Sequence, residues 1–261
     1  MIGAIAGDMI GSVHEGTATK TKRFPLFTAE SCFTDDSVLT LAVADVLLNG
    51  GDYIRAFQRY YRRYPDAGYG GQFRLWCELG RTEPYNSWGN GSAMRVAPIG
   101  MAFDNLYDVL AEAERSAQVT HNHPEGVRGA KAVAAAVFLA RQHPEKSEIA
   151  NYVESEFGYA LRTPLRNVRR TFLFDVSCAG TVPWAIRAFL EADSFEDAIR
   201  NAISLGGDAD TLACIAGALA GPFFGVPSEI REQVLARLDD QLLKVMNQFE
   251  VRFCGTAGAH G

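Results

Sequence analysis

The sequence predicts an all-α fold from three observations. Apolar residues recur at helical spacing along nearly the whole chain, alternation of polar and apolar residues is scarce, and glycine, asparagine and hydroxyl residues mark where the apolar runs start and stop. The first run, 2–13, carries Gly3, Gly7 and Gly11 at four-residue spacing, a smooth ridge that lets a second helix approach closely, so this helix should be central. Glycine in a helix interior costs about 0.8–1 kcal/mol relative to alanine, so the ridge implies either tight packing or a site requirement. Residues 35–48 (DDSVLTLAVADVLL) begin after Thr34, a good N-cap, and stop at Asn49-Gly50-Gly51. Further helices are expected at 52–63, 72–79, 105–118, 124–142, 146–156, 182–192, 195–204, 209–220 and 228–249. No internal repeat or low-complexity linker divides the chain, which predicts one compact orthogonal helical bundle over 1–253 and a disordered tail over 254–261. Two loops, 65–71 (PDAGYGG) and 84–92 (PYNSWGNGS), combine glycine with aromatic residues in the way functional loops on a helical scaffold do.

Composition narrows the function. With 261 residues, 48% hydrophobic and 21% charged, the chain can enclose a large core, which excludes disordered and collagen-like classes. Lys plus Arg number 25 against 31 Asp plus Glu, a net charge of -6, and no dense basic cluster occurs, so extended nucleic-acid binding is not expected. No apolar run reaches the roughly 18 residues that span a bilayer. The N-terminal stretch lacks the basic lead-in and cleavage site of a secretory signal, and the expected location is the cytoplasm, as a monomer. Five cysteines without C-x-x-C spacing read as buried thiols rather than disulfides or a zinc ribbon.

Acid and hydroxyl groups concentrate at two helix starts, Thr34-Asp35-Asp36-Ser37 and Asp208-Ala209-Asp210-Thr211, each beside strongly apolar sequence. One acidic helix start is ordinary, since it satisfies orphan N–H groups and the helix dipole. Four carboxylates brought together would repel strongly, and a divalent cation is the simplest neutralising partner if the segments converge. Oxygen ligands suit hard ions, Mg²⁺ first and Mn²⁺ or Ca²⁺ next, and disfavour zinc. Two such clusters could hold two ions about 3.5–4 Å apart, able to bind vicinal substrate oxygens and orient a water. Asp8 and Glu15, seven residues apart, complete the acidic set if the first helix runs that far; Asp8 fits an internal hydrogen-bonded role and Glu15 a position at the edge of a cavity.

The segments GDMIGSVHE (7–15), FTDDSVLTLAVADVLL (33–48), GYGG (68–71), GNGSAMRVAPIG (89–100), THNHPEG (120–126) and SLGGDADTLACIAGALAGPFFG (204–225), in that order, resemble the ADP-ribosylglycohydrolases nearly end to end. The resemblance implies a compact all-helical domain with a binuclear Mg²⁺ centre at an ADP-ribose cleft. Its metal ligands would be Thr34, Asp35, Asp36, Asp208, Asp210 and Thr211, with Mn²⁺ able to substitute. Glu15 and Asp35 would be the catalytic carboxylates, with the general base either Glu15 or a metal-bound aspartate. Glu15, Gly68, Tyr69, Gly70, Gly71, Asn90, Gly91, Ser92, Met94 and His121 would contact substrate, the glycines beside the diphosphate. Trp88 or Tyr85 could stack on a base or cover the core, and His123 would be structural. The reaction implied is hydrolysis at C1″ of the distal ribose, releasing ADP-ribose from a modified protein, nucleic acid or small molecule. Ser37 replaces a threonine common in the family, and no aspartate occupies 68–71, which departs from the arginine-linkage type. Two other readings suit parts of the pattern: a non-catalytic, crystallin-like binder, and a Mg²⁺-dependent hydrolase of phosphate esters or nucleotides.

Overall fold

A computed structural model describes residues 1–142 and 145–255, so most of the expected tail lies outside the described residues. The regular structure among them is helical, as expected, and the only sheet-like pairing there is an isolated antiparallel bridge between Gly89 and Ser177. In chain order the helices are α1 (Ile2–Gly11), α2 (Asp35–Asn49), α3 (Tyr53–Arg63), α4 (Gly71–Glu78), α5 (Gly91–Met94), α6 (Ala97–Ala102), α7 (Leu106–Gln118) and α8 (Pro124–Arg141). There follow α9 (Lys146–Phe157), α10 (Leu165–Val168), α11 (Cys178–Leu190), α12 (Phe195–Ile203), α13 (Ala209–Phe224), α14 (Ser228–Leu235) and α15 (Asp240–Phe249).

The glycine ridge sets the centre. Every residue of α1 is buried, and α1 lies on α13 backbone to backbone. A Cβ on Gly3 would strike Gly217 O, one on Gly7 would strike Ala213 O, and one on Gly11 would strike the backbone of Asp210. The rising order on one helix meets falling order on the other, so the pair is antiparallel and the C-terminal end of α1 meets the N-terminal end of α13. Helix α2, buried from Asp36 to Ala44, packs beside α1, and α8, α11 and α12 close around α13.

Several boundaries differ from the sequence expectation for physical reasons. The expected helix 182–192 starts at Cys178, where Ser177 Oγ accepts from Gly180 N; Pro183, which reads as a first-turn proline, is carried inside. Helix α13 runs past Pro222 to Phe224 and ends on Gly225 at φ 80°. The expected 228–249 helix is two helices, because Asp239 starts a new one by accepting from Gln241 N and Leu242 N. The short α5, α6 and α10 carry too few turns to show a period. Cys32 is exposed and Cys254 half-buried, so the buried-thiol reading holds only for Cys77, Cys178 and Cys214. Among the described residues no helix is long and apolar enough to cross a membrane.

Candidate active site

The two acidic helix starts meet, and α1 is what joins them. Asp8, wholly buried on α1, accepts from Thr34 N at 2.9 Å and Thr34 Oγ1 at 2.6 Å, and from Ser37 N at 3.1 Å and Ser37 Oγ. These bonds clamp the first turn of α2 to α1 and occupy both Asp8 oxygens, the internal role its sequence position suggested. Thr34 Oγ1 also accepts from Asp36 N at 3.3 Å, capping α2, which leaves one lone pair free. About one turn further along α1, Gly11 seats the first turn of α13, and Thr211 Oγ1 reaches Asp36 Oδ2 at 3.2 Å across 175 residues of sequence. One carboxylate oxygen each from Asp8, Asp36 and Asp210 lie within 4.8 Å of one another, as do those of Glu15, Asp208 and Asp210.

Glu15 arrives differently from the expected helix extension. α1 ends at Gly11, a 3-10 turn covers Ser12–His14, and Gly16 N then donates to Gly207 O at 3.0 Å, which swings the exposed Glu15 over Asp208. Asp208 is held from the other side by Asn90 Nδ2 at 2.6 Å, an amide that also reaches Thr181 Oγ1 at 3.0 Å.

Burial first, and the neighbouring carboxylates second, hold Asp35, Asp36 and Asp210 well above the usual carboxylate range. Burial and then Asp208 raise Glu15. Among the described residues no lysine or arginine forms an ion pair with any of these acids, and Asp36 Oδ1 is buried without a hydrogen-bond partner. A group of uncompensated carboxylates with an orphaned oxygen fits a bound cation, and an all-oxygen donor set fits a hard one.

The cluster forms one end of a cleft of ≈ 440 Å³. Of the expected substrate residues, Glu15, Gly68, Gly70, Gly71, Asn90, Gly91, Met94 and His121 line it, as do Thr34, Asp35, Asp36, Asp208, Asp210 and Thr211. Two do not. Tyr69 is 3% exposed and stacks on Phe73 with ring centroids 5.3 Å apart, so it props the glycine loop from behind. Ser92 is fully buried and its hydroxyl donates to Gly126 O at 2.7 Å, tying α5 to α8. Asn90 lines the cleft with its amide already committed to Asp208 and Thr181. Tyr85 and Trp88 both line the cleft.

Sequence reasoning did not name Leu39, Gln72, Phe73, Arg95 and Val176 as lining residues, and it reached Asn86, Ser87 and Gly89 only through the loop 84–92. Within that loop Asn86 adopts φ 54°. Arg95 is fully buried, lies over the Phe57 ring at 4.3 Å, and donates to Thr120 Oγ1 at 2.9 Å, which in turn meets His121 Nδ1 at 2.8 Å. Burial, then the Arg95 charge, holds the His121 imidazole well below its ordinary range, so it is neutral near pH 7. His123 caps α8 by accepting from Glu125 N at 3.1 Å, the structural role expected of it.

Comparison with known proteins adds an independent line. A sequence model of the family described as ADP-ribosylglycohydrolase matches residues 1–257. The chain is 29% identical to ADP-ribosylhydrolase ARH3 of Mus musculus, over 87% of this chain and 83% of that protein. It is 27% identical to ADP-ribosylarginine hydrolase Tri1 of Pseudomonas putida, over 90% and 72%. A solved structure named ADP-ribosylglycohydrolase-related protein complex superposes at TM-score 0.71 with 26% identity, covering 96% of this chain and 95% of that one.

Proposed function

Because this chain belongs to the ADP-ribosylglycohydrolase family, we propose that it hydrolyses the bond between C1″ of the distal ribose of ADP-ribose and an acceptor. The observation that carries the proposal is the meeting of Asp36 with Asp210 and Thr211 at the floor of a cleft large enough for a nucleotide-sized ligand. Thr34, Asp35, Asp36, Asp208, Asp210 and Thr211 would hold two magnesium ions, with manganese able to replace them. Bound there, the ions supply orientation of vicinal ribose hydroxyls and acidification of a water.

The chain's own groups divide the remaining work. Glu15, exposed beside Asp208 with its proton affinity raised, is placed to take the proton of the attacking water, with Asp35 as the second carboxylate within the site. Water adds at C1″, the C1″–acceptor bond breaks, and the acceptor leaves protonated. The first turn of α4 begins at Gly70 and Gly71 with no side-chain cap, which leaves backbone N–H groups free for the diphosphate. Neutral His121, facing Gly91 through Nε2, offers a hydrogen bond to the ligand without adding charge. Phe73 and Tyr85 give aromatic surface for the adenine. Free cysteines at every described cysteine position agree with a reducing, cytoplasmic setting.

The test is incubation of the purified protein with Mg²⁺ and a panel of ADP-ribose conjugates linked through arginine, serine, a nucleic-acid end and an acetyl ester. At least one should release ADP-ribose, chelation should stop it, and Asp36→Ala and Asp210→Ala should abolish it while retaining helical content. Release from none of them, with phosphate-ester cleavage instead, would reassign the chemistry.

A further inference from the structure

Four of the eight large apolar side chains exposed among the described residues gather at one place: Leu173 at 78%, Phe174 at 54%, Trp88 at 51% and Val176 at 43% exposed. Their exposure does not come from a loose loop. Lys20 Nζ donates to Phe172 O at 2.8 Å and also to Leu205 O, Thr181 Oγ1 donates to Asp175 O at 3.1 Å, and Asn90 N donates to Val176 O at 2.8 Å. Cys178 N fixes Trp88 by donating to its carbonyl at 3.0 Å. Apolar groups held out into solvent by a pinned backbone mark a contact surface.

The ridge stands at the acidic end of the cleft. Gly207, at φ 73°, has no side chain, and a Cβ there would stand 3.1 Å from Leu173 O and 3.3 Å from Phe174 Cα, so residues 172–174 lie directly over the residue preceding Asp208. Trp88 and Val176 themselves line the cleft. A ligand cut at its distal ribose, with that ribose at the carboxylates, must send its acceptor out past this rim.

Resting on the function proposed above, we infer that Leu173, Phe174, Val176 and Trp88 form a docking ridge for the acceptor, and that the acceptor it fits is a polypeptide. Aliphatic and aromatic groups match the side chains flanking a modified residue. The net charge of -6, with no dense basic cluster in the sequence, opposes a phosphodiester chain.

The experiment uses the linkage that the enzyme cleaves and compares a single-residue conjugate, a short peptide conjugate with apolar neighbours, and the same peptide with glycine and serine neighbours. The wild type should show a lower KM for the apolar peptide. Leu173→Ser with Phe174→Ser should raise that KM about tenfold and leave kcat, turnover of the single-residue conjugate and affinity for free ADP-ribose unchanged. Equal KM values for the two peptides in the wild type, an unchanged KM in the variant, or the same loop dependence on a modified nucleic-acid end would overturn the inference. Cleavage of the single-residue and peptide conjugates with no effect of the ridge on the peptide overturns it alone, whereas release from no conjugate of any linkage removes the functional reading as well.

Discussion

Asp208 is oriented by a side chain from another part of the chain, the Asn90 amide at 2.6 Å, rather than by its own helix. Removing a partner that orients a metal-binding carboxylate typically costs about 10–100-fold in metal affinity or activity, and Asn90→Ala should fall in that range. Titration of Mg²⁺ against turnover measures it, and an unchanged midpoint and rate would return Asn90 to the substrate-contact role that its sequence motif suggested. Asp36 gives a second prediction. Its proton affinity is raised in the folded protein, so in the metal-free state its stabilising contribution is complete below the unfolded value of about 3.9 and is lost as pH rises through the folded value. Asp36→Asn in EDTA should therefore melt above wild type at pH 7, with the gap closing towards pH 4, while Mg²⁺ should stabilise wild type alone. A variant less stable than wild type in EDTA at pH 7 would contradict strain from uncompensated carboxylates. The acids were legible in the sequence because TDD and DADT carry chemistry in the residues themselves. Tyr69 and Ser92 do not line the cleft although their motifs border it, because a motif places a residue near a cleft and does not say which way its side chain faces.

At the scale of elements, α1 does most to build the site. Its glycines let α13 approach to backbone contact, and its Asp8 grips the start of α2, so two helix termini far apart in sequence are registered on one rod. Gly7→Ala inserts a methyl group where Ala213 O lies and should destabilise the fold by about 1–3 kcal/mol or more. Gly70→Ala, with open space around its Cβ and φ of -58°, should melt like wild type. Thermal denaturation of the pair checks this, and equal melting of Gly7→Ala and wild type would show that α1 and α13 are not held at backbone contact. The four-residue glycine spacing announced the close approach, and the compensation it implied proves to serve packing and site together. The break at Asp239 was hidden because the apolar period resumes in phase, and the start at Cys178 because Pro183 imitates a first-turn proline.

For the whole molecule, the all-α class and order of helices followed from apolar periodicity, which is local. The cleft did not, since its walls come from α2, α4, α13 and the loops before α5, α8 and α11, and no local pattern ties Val176 or Phe73 to Asp210. What the sequence did carry about the global arrangement lay in charge: two acidic clusters beside apolar helices suit a shared cation if they converge, and in the folded chain carboxylates of both come together. The most direct measurement is anomalous diffraction from crystals soaked in Mn²⁺. Two peaks about 3.5–4 Å apart, bounded by Asp35 and Asp36 on one side and Asp208 and Asp210 on the other, are the expected result. Crystals diffracting well with no manganese between those four side chains would contradict it.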